Sequence, residues 1–154
     1  MEDIYGPRGI DAKAAQERMK GLMAEEGLPY GNRTHTYNSR HAQELGVWID
    51  SLEGYDEFHE AVFHPYFVDG LNRSDTDVLL NIVEKIRLDR NEADRILEEG
   101  THKQAVDADW AKSQEYGVTG VPTYGANGYG VVGAQPYDAL EQFLDKLNAP
   151  RREN

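Results

Sequence analysis

Any chemistry in this chain proceeds without thiols. Its 154 residues include no cysteine, which excludes disulfides, thiolate metal sites and cysteine nucleophiles. Histidine is the next candidate. His59 and His64 stand five apart with Glu57 and Glu60 beside them. Zinc-binding helices place two histidines four apart and add a third ligand. A spacing of five turns the rings off a common face, and Pro65 interrupts the segment, so no metal or cofactor site is read there. His35 and His41 flank Asn38-Ser39, a pair with the chemistry of a helix cap. Asp11, Asp77 and Asp89 fall where caps and first-turn acids belong, away from any paired-carboxylate arrangement. Gly125-Ala-Asn-Gly-Tyr-Gly130 is glycine-rich but does not open a helix, as a phosphate loop must. Tyr124, Tyr129 and Tyr137 suit either an aromatic ligand wall or half-buried packing with a wet hydroxyl. Asn32-Arg-Thr34 and Asn72-Arg-Ser74 match glycosylation sequons, read here as chance. The stretch left over is Val121-Pro122-Thr123, where the proline removes a backbone donor at the start of a strand.

Periodicity and punctuation set out the elements that hold these residues. Ala14, Ala15, Met19, Leu22 and Met23 recur at helical spacing after Ile10-Asp11, and Gly27 closes that segment. Asn38-Ser39 opens a second helix with Ala42, Leu45, Trp48, Ile49 and Leu52 on one face. A third runs from Tyr55 to Asp69 with Phe58, Val62, Tyr66 and Phe67, kinked or broken at Pro65. Ser74 to Asp77 reads as a cap with first-turn acids before Val78, Leu79, Ile82, Val83 and Ile86. Leu88-Asp89 precedes a capping-box variant with a Leu88–Ala93 staple, and Gly100 ends the short helix that follows. A polar helix over 103–116 carries Val106 and Trp110 and ends at Gly117. The texture then changes. Val118 to Tyr124 is β-branched and aromatic, Asn127-Gly128 is a hairpin turn signal, and Tyr129 to Val132 is the return strand. Gln135-Pro136 opens a last helix with Leu140, Phe143, Leu144 and Leu147 on its apolar face.

Charge and hydropathy narrow the function classes. With 28 acidic and 16 basic residues the net charge is −12, which argues against a nucleic-acid or anionic-membrane partner held by bulk charge. No apolar run approaches the ~18 residues that span a bilayer. The first residues lack the basic and apolar regions of a signal peptide. The expected protein is soluble and cytoplasmic, one domain in length.

Gly117-Val-Thr-Gly-Val-Pro-Thr-Tyr124, then Asn127-Gly128, then Gly133-Ala-Gln-Pro136 before an amphipathic helix, resembles the DsbA-like thioredoxin-fold family. Within it the chain looks most like the FrnE-type branch. Tyr5-Gly6, Glu25 to Leu28, Asn38 to Ala42, Phe63 to Gly70 and the Gly117 loop follow in the same order, so the resemblance covers about residues 5–147. It implies a mainly α (α+β) fold in one compact unit: the helical domain of a DsbA-like protein over 1–117 and a ββα remnant of a thioredoxin fold over 118–147; the polar residues 148–154 read as a disordered tail. It also implies that the N-terminal βαβ unit with its Cys-x-x-Cys motif is lacking. The family usually follows the motif's aromatic with two bulky apolar residues. Gly125 and Ala126 stand there instead, which weakens the strand.

In thioredoxin-like proteins the proline of Val-Pro-Thr is cis and presents the preceding backbone to an extended peptide or thiol-bearing ligand. The resemblance therefore implies a peptide-binding edge at Val121, Pro122 and Thr123, with strand addition as the mode of binding. By the same resemblance Asn38 and His41 line a cleft facing Pro122, as polar residues do in the glutathione-dependent isomerases of the broader group; helix capping is the competing reading. The expected function is membership of a thiol–disulfide oxidoreductase family without disulfide exchange by this chain alone, acting through peptide or partner binding. The alternative is a glutathione-dependent isomerase or transferase activity, in which glutathione supplies the thiol. A two-stranded hairpin is marginal alone and exposes its edges, so a homodimer or a sheet-completing partner chain is expected.

Overall fold

The computed structural model describes residues 12–52 and 57–150. The expected cap at Asp11, the helix start at Tyr55 and the tail from 151 onward lie outside the described residues. Among those described there are seven helices and one antiparallel hairpin: α1 (Ala12–Glu25), α2 (Arg40–Asp50), α3 (Glu57–Phe67), α4 (Thr76–Lys85), α5 (Arg90–Glu99), α6 (Lys103–Glu115), β1 (Thr123–Ala126), β2 (Tyr129–Val132) and α7 (Tyr137–Lys146). The described residues are thus mainly helical with one two-stranded hairpin, in agreement with the mainly α (α+β) class expected from the sequence. The chain divides into two units, Met1–Val106 and Asp107–Asn154.

The first unit has a core because four helices each bury one stripe. Ala42, Leu45, Trp48 and Ile49 of α2, Phe58 and Val62 of α3, Leu79, Leu80, Ile82 and Val83 of α4, and Ala93 and Ile96 of α5 form one buried cluster. Helix α2 packs on α3, α4 and α5, and α4 also packs on α3 and α5. Leu45, Leu79 and Val83 are completely covered, and each such side chain contributes about 1.5–3 kcal/mol over exposure. Helix α3 continues through Pro65 to Phe67. The proline lacks an N–H, so it sits where only one further turn depends on it.

Side-chain caps set the helix starts. Asp75 accepts from the Asp77 amide at 3.0 Å, and Asp89 accepts from the Asn91 and Glu92 amides at 2.8 and 3.3 Å. At the other end of α5, Gly100 adopts φ 62, and the Thr101 amide reaches back to the Ile96 carbonyl at 3.2 Å. This is a Schellman closure, which favours glycine because a Cβ strains the left-handed region. Helix α4 closes in the same way with Arg87 at φ 66.

One charge is taken into the first unit. Glu44 is 4% exposed. Arg40 Nε donates to its carboxylate at 2.6 Å, and Arg40 Nη2 donates to the Lys103 carbonyl at 2.7 Å. The pair joins the first turn of α2 to the start of α6. The only sequence signal for it is an Arg–Glu spacing of four.

Candidate functional site

The second unit contains the hairpin. Thr123 lies opposite Val132, Tyr124 opposite Val131, Gly125 opposite Gly130 and Ala126 opposite Tyr129. Asn127 (φ 50) and Gly128 (φ 78) make the two-residue turn, with the positive φ values that a type I′ turn demands. The β-branched run before Pro122 is not strand: β1 begins only at Thr123. The physical reason is pairing. Pro122 has no N–H to donate, and residues 118–121 have no ladder partner among the described residues.

The approach to the strand is nevertheless ordered. Thr123 Oγ1 donates to the Gly120 carbonyl at 2.6 Å, and the Gly133 amide donates to the Pro122 carbonyl at 2.8 Å. The Val121–Pro122 peptide is cis. Val121 is 89% exposed, and its own amide and carbonyl have no hydrogen-bond partner among the described residues. The Gly125–Gly130 pair carries no side chains, and the nearest atom to an added Cβ at Gly125 is the Tyr129 carbonyl oxygen at 3.9 Å.

Around the hairpin the apolar groups are poorly covered. Tyr124, Tyr129, Val132, Tyr137 and Leu144 are exposed, and α7 buries no residue. An open cleft of about 490 Å³ lies among Asn127, Tyr129, Phe143, Lys146 and Leu147. Asn127 Nδ2 donates to the Leu147 carbonyl at 3.5 Å, tying the turn loosely to the end of α7.

The other expected site residues belong to the first unit. Asn38 Oδ1 accepts from the Arg40 amide at 2.9 Å, while Ser39, at the N-cap, makes no side-chain cap bond. His41 is half-buried in the first turn of α2. Val121, Pro122 and Thr123 lie in the second unit. The two histidines of α3 pair separately: His59 Nε2 lies 3.0 Å from Asp50, and His64 Nδ1 lies 3.8 Å from Asp69. No cluster of three or more metal-ligating side chains occurs among the described residues. No helix among them is long and apolar enough to cross a membrane.

Chemically, the exposed edge at Val121 offers backbone donors and acceptors, apolar side chains and hydroxyls. It offers no nucleophile comparable to a thiolate. A family model described as DSBA-like thioredoxin domain matches residues 6–145. No curated protein matches the chain.

Proposed function

Because this chain belongs to the DSBA-like thioredoxin-domain family and carries no cysteine, we propose that it works by binding an extended peptide or partner strand at Val121, Pro122 and Thr123, and that it performs no disulfide exchange alone. Thiol–disulfide exchange begins with attack by a thiolate, and this chain has none to supply. Strand addition needs only main-chain groups and neighbouring side chains. The observation that carries the reading is the exposed Val121 with its unpaired amide and carbonyl beside Pro122. Exposed Tyr124, Tyr129 and Val132 give an arriving strand apolar surface to cover. The occupant we favour is an extended segment of a partner chain; a second copy, adding its own hairpin edge, is the symmetric version.

The test uses the isotopically labelled full chain and a short cysteine-free peptide of alternating threonine and valine. The Val121 amide resonance should shift saturably while those of Leu79 and Val83 stay fixed. Val121→Pro removes the donor, and in that variant the neighbouring Thr123 amide, which should shift in the parent, should no longer respond to the peptide. A Val121 resonance that ignores the peptide refutes the reading. So does disulfide exchange by the purified chain alone. Glutathione shifting Asn38 and His41 instead would support the glutathione-dependent isomerase or transferase alternative. Light scattering separates the occupants, since a concentration-dependent dimer identifies a second copy.

A further inference from the structure

Two arginines of the first unit converge on one buried tyrosine. The guanidinium carbons of Arg33 and Arg73 lie 4.4 and 4.0 Å from the centre of the Tyr66 ring, and Tyr66 is 3% exposed. Arg33 Nη1 donates to the Tyr66 hydroxyl, and the same guanidinium lies 5.3 Å from the centre of the Phe67 ring. Arg73 reaches the Tyr37 carbonyl from Nε and Nη2 at 3.4 Å, a long contact that spends little of its donor capacity.

No carboxylate among the described residues pairs with either arginine. Acids outnumber bases 28 to 16 in this chain, so two unneutralised arginines side by side run against its composition. Their juxtaposition is costly. Burial pushes the Arg73 guanidinium below its ordinary range, and the charge of Arg33 pushes it further. Arg73 keeps its charge at neutral pH all the same, because a guanidinium holds its proton under all ordinary conditions.

Cation–π contact with the Tyr66 ring offsets part of that cost for each arginine. A ring face does not accept hydrogen bonds from the remaining N–H groups as an oxygen does. Arg33 Nε and Thr36 Oγ1 are both buried without a hydrogen-bond partner. Thr36 stands three residues after Arg33 and next to Tyr37, whose carbonyl Arg73 touches. Buried polar groups are normally satisfied, and exceptions call for a missing partner. A group with negative charge and several acceptor oxygens supplies what both arginines and the hydroxyl lack.

We propose that Arg33, Arg73 and Thr36 form a binding site for a small oxyanion, a phosphoryl or carboxylate group, held beside the Tyr66 ring. The site is independent of the Val121 edge and needs no cysteine.

The test follows the arginine Nε–H resonances of the full chain during titration with inorganic phosphate and, separately, with acetate at matched ionic strength. Arg33 and Arg73 should shift together with one saturation curve. Arg95, which pairs with Glu92 and Glu99 on the surface, should not saturate. Tighter phosphate than acetate binding assigns the site to a phosphoryl group; the reverse assigns it to a carboxylate. Arg73→Gln should weaken binding about tenfold or more, the usual worth of a charged hydrogen bond. Should that variant fold poorly, Arg73→Lys keeps the charge but loses the planar fork and should still weaken binding measurably. The proposal is overturned by the absence of a saturable shift with either anion, by a shift shared equally by Arg95, or by affinity unchanged in Arg73→Lys.

Discussion

Gly31→Ala should destabilise the first unit far more than an alanine normally does. Gly31 donates its amide to the Phe67 carbonyl at 2.9 Å, which brings the loop after α1 onto the C-terminal end of α3. An ideal Cβ at Gly31 falls 2.0 Å from the Val68 carbonyl oxygen and 2.9 Å from the Val68 carbonyl carbon. A carbon–oxygen contact needs about 3.3 Å, so backbone must retreat from backbone by more than 1 Å. That loses the hydrogen bond, about 0.5–1.5 kcal/mol, and adds overpacking of about 1–3 kcal/mol. Together the cost is about 2–4 kcal/mol, or a fall in Tm of about 5–20 °C. Gly21→Ala is the matched control. Gly21 lies inside α1 with nothing within 4 Å of an added Cβ, so there alanine should stabilise by about 0.5–1 kcal/mol. Thermal melts followed by far-ultraviolet circular dichroism read both. A Gly31→Ala Tm within about 2 °C of the parent, well under the expected shift, refutes the close approach.

Arg87→Gly should stabilise the chain by about 1 kcal/mol in denaturant titration, because Arg87 holds φ 66 and only glycine adopts that region without strain. Leu45→Ala, at a side chain with no exposure, should cost about 2–5 kcal/mol. Leu144→Ala in α7, where the side chain is 44% exposed, should cost well under half of that, and equal losses would contradict the described burial. Gly125→Val should raise hydrogen-exchange protection of the hairpin amides by about 0.5–1 kcal/mol, since the position has room for a Cβ and strands favour β-branched residues. Lower protection there would mean that the strand face is already occupied.

The helices were legible because their limits are written in local chemistry. Asp75 and Asp89 cap through their own carboxylates, Gly27, Gly100 and Gly117 take up positive φ, and each acts within a few residues of the end it defines. At Pro65 the pattern marks a kink or a break; there is no break, because the helix ends at Phe67, only two residues further on. The β-branched run before Pro122 misleads. Its composition favours strand, but a strand exists only where a partner pairs with it, and pairing starts at Thr123 opposite Val132. Arg33, Tyr66 and Arg73 carry no signal at all. They are 33 and 40 residues apart from Arg33 onward, no periodicity links them, and a tyrosine on an apolar helix face reads as core. Their convergence is a product of the fold around Gly31 and Phe67.

Two kinds of chemistry are separable in principle. Disulfide exchange is sulfur chemistry and needs a thiolate. Holding an extended segment is main-chain chemistry, and on the reading proposed here it needs only the Val121 amide and carbonyl and the surfaces beside them. On that reading, the absence of cysteine removes the first from this chain alone and does not touch the second. Such binding would also act on the stability of the second unit. Helix α7 buries no residue and the hairpin has two strands, an arrangement with little stability of its own. An added strand would then contribute to folding as well as to recognition. By linkage, a ligand at about 100 times its Kd adds about 2.7 kcal/mol to the stability of whatever it binds. For an element with so little buried surface, that increment is comparable to the stability of a marginal hairpin. Occupancy of the edge and order in the hairpin would rise together.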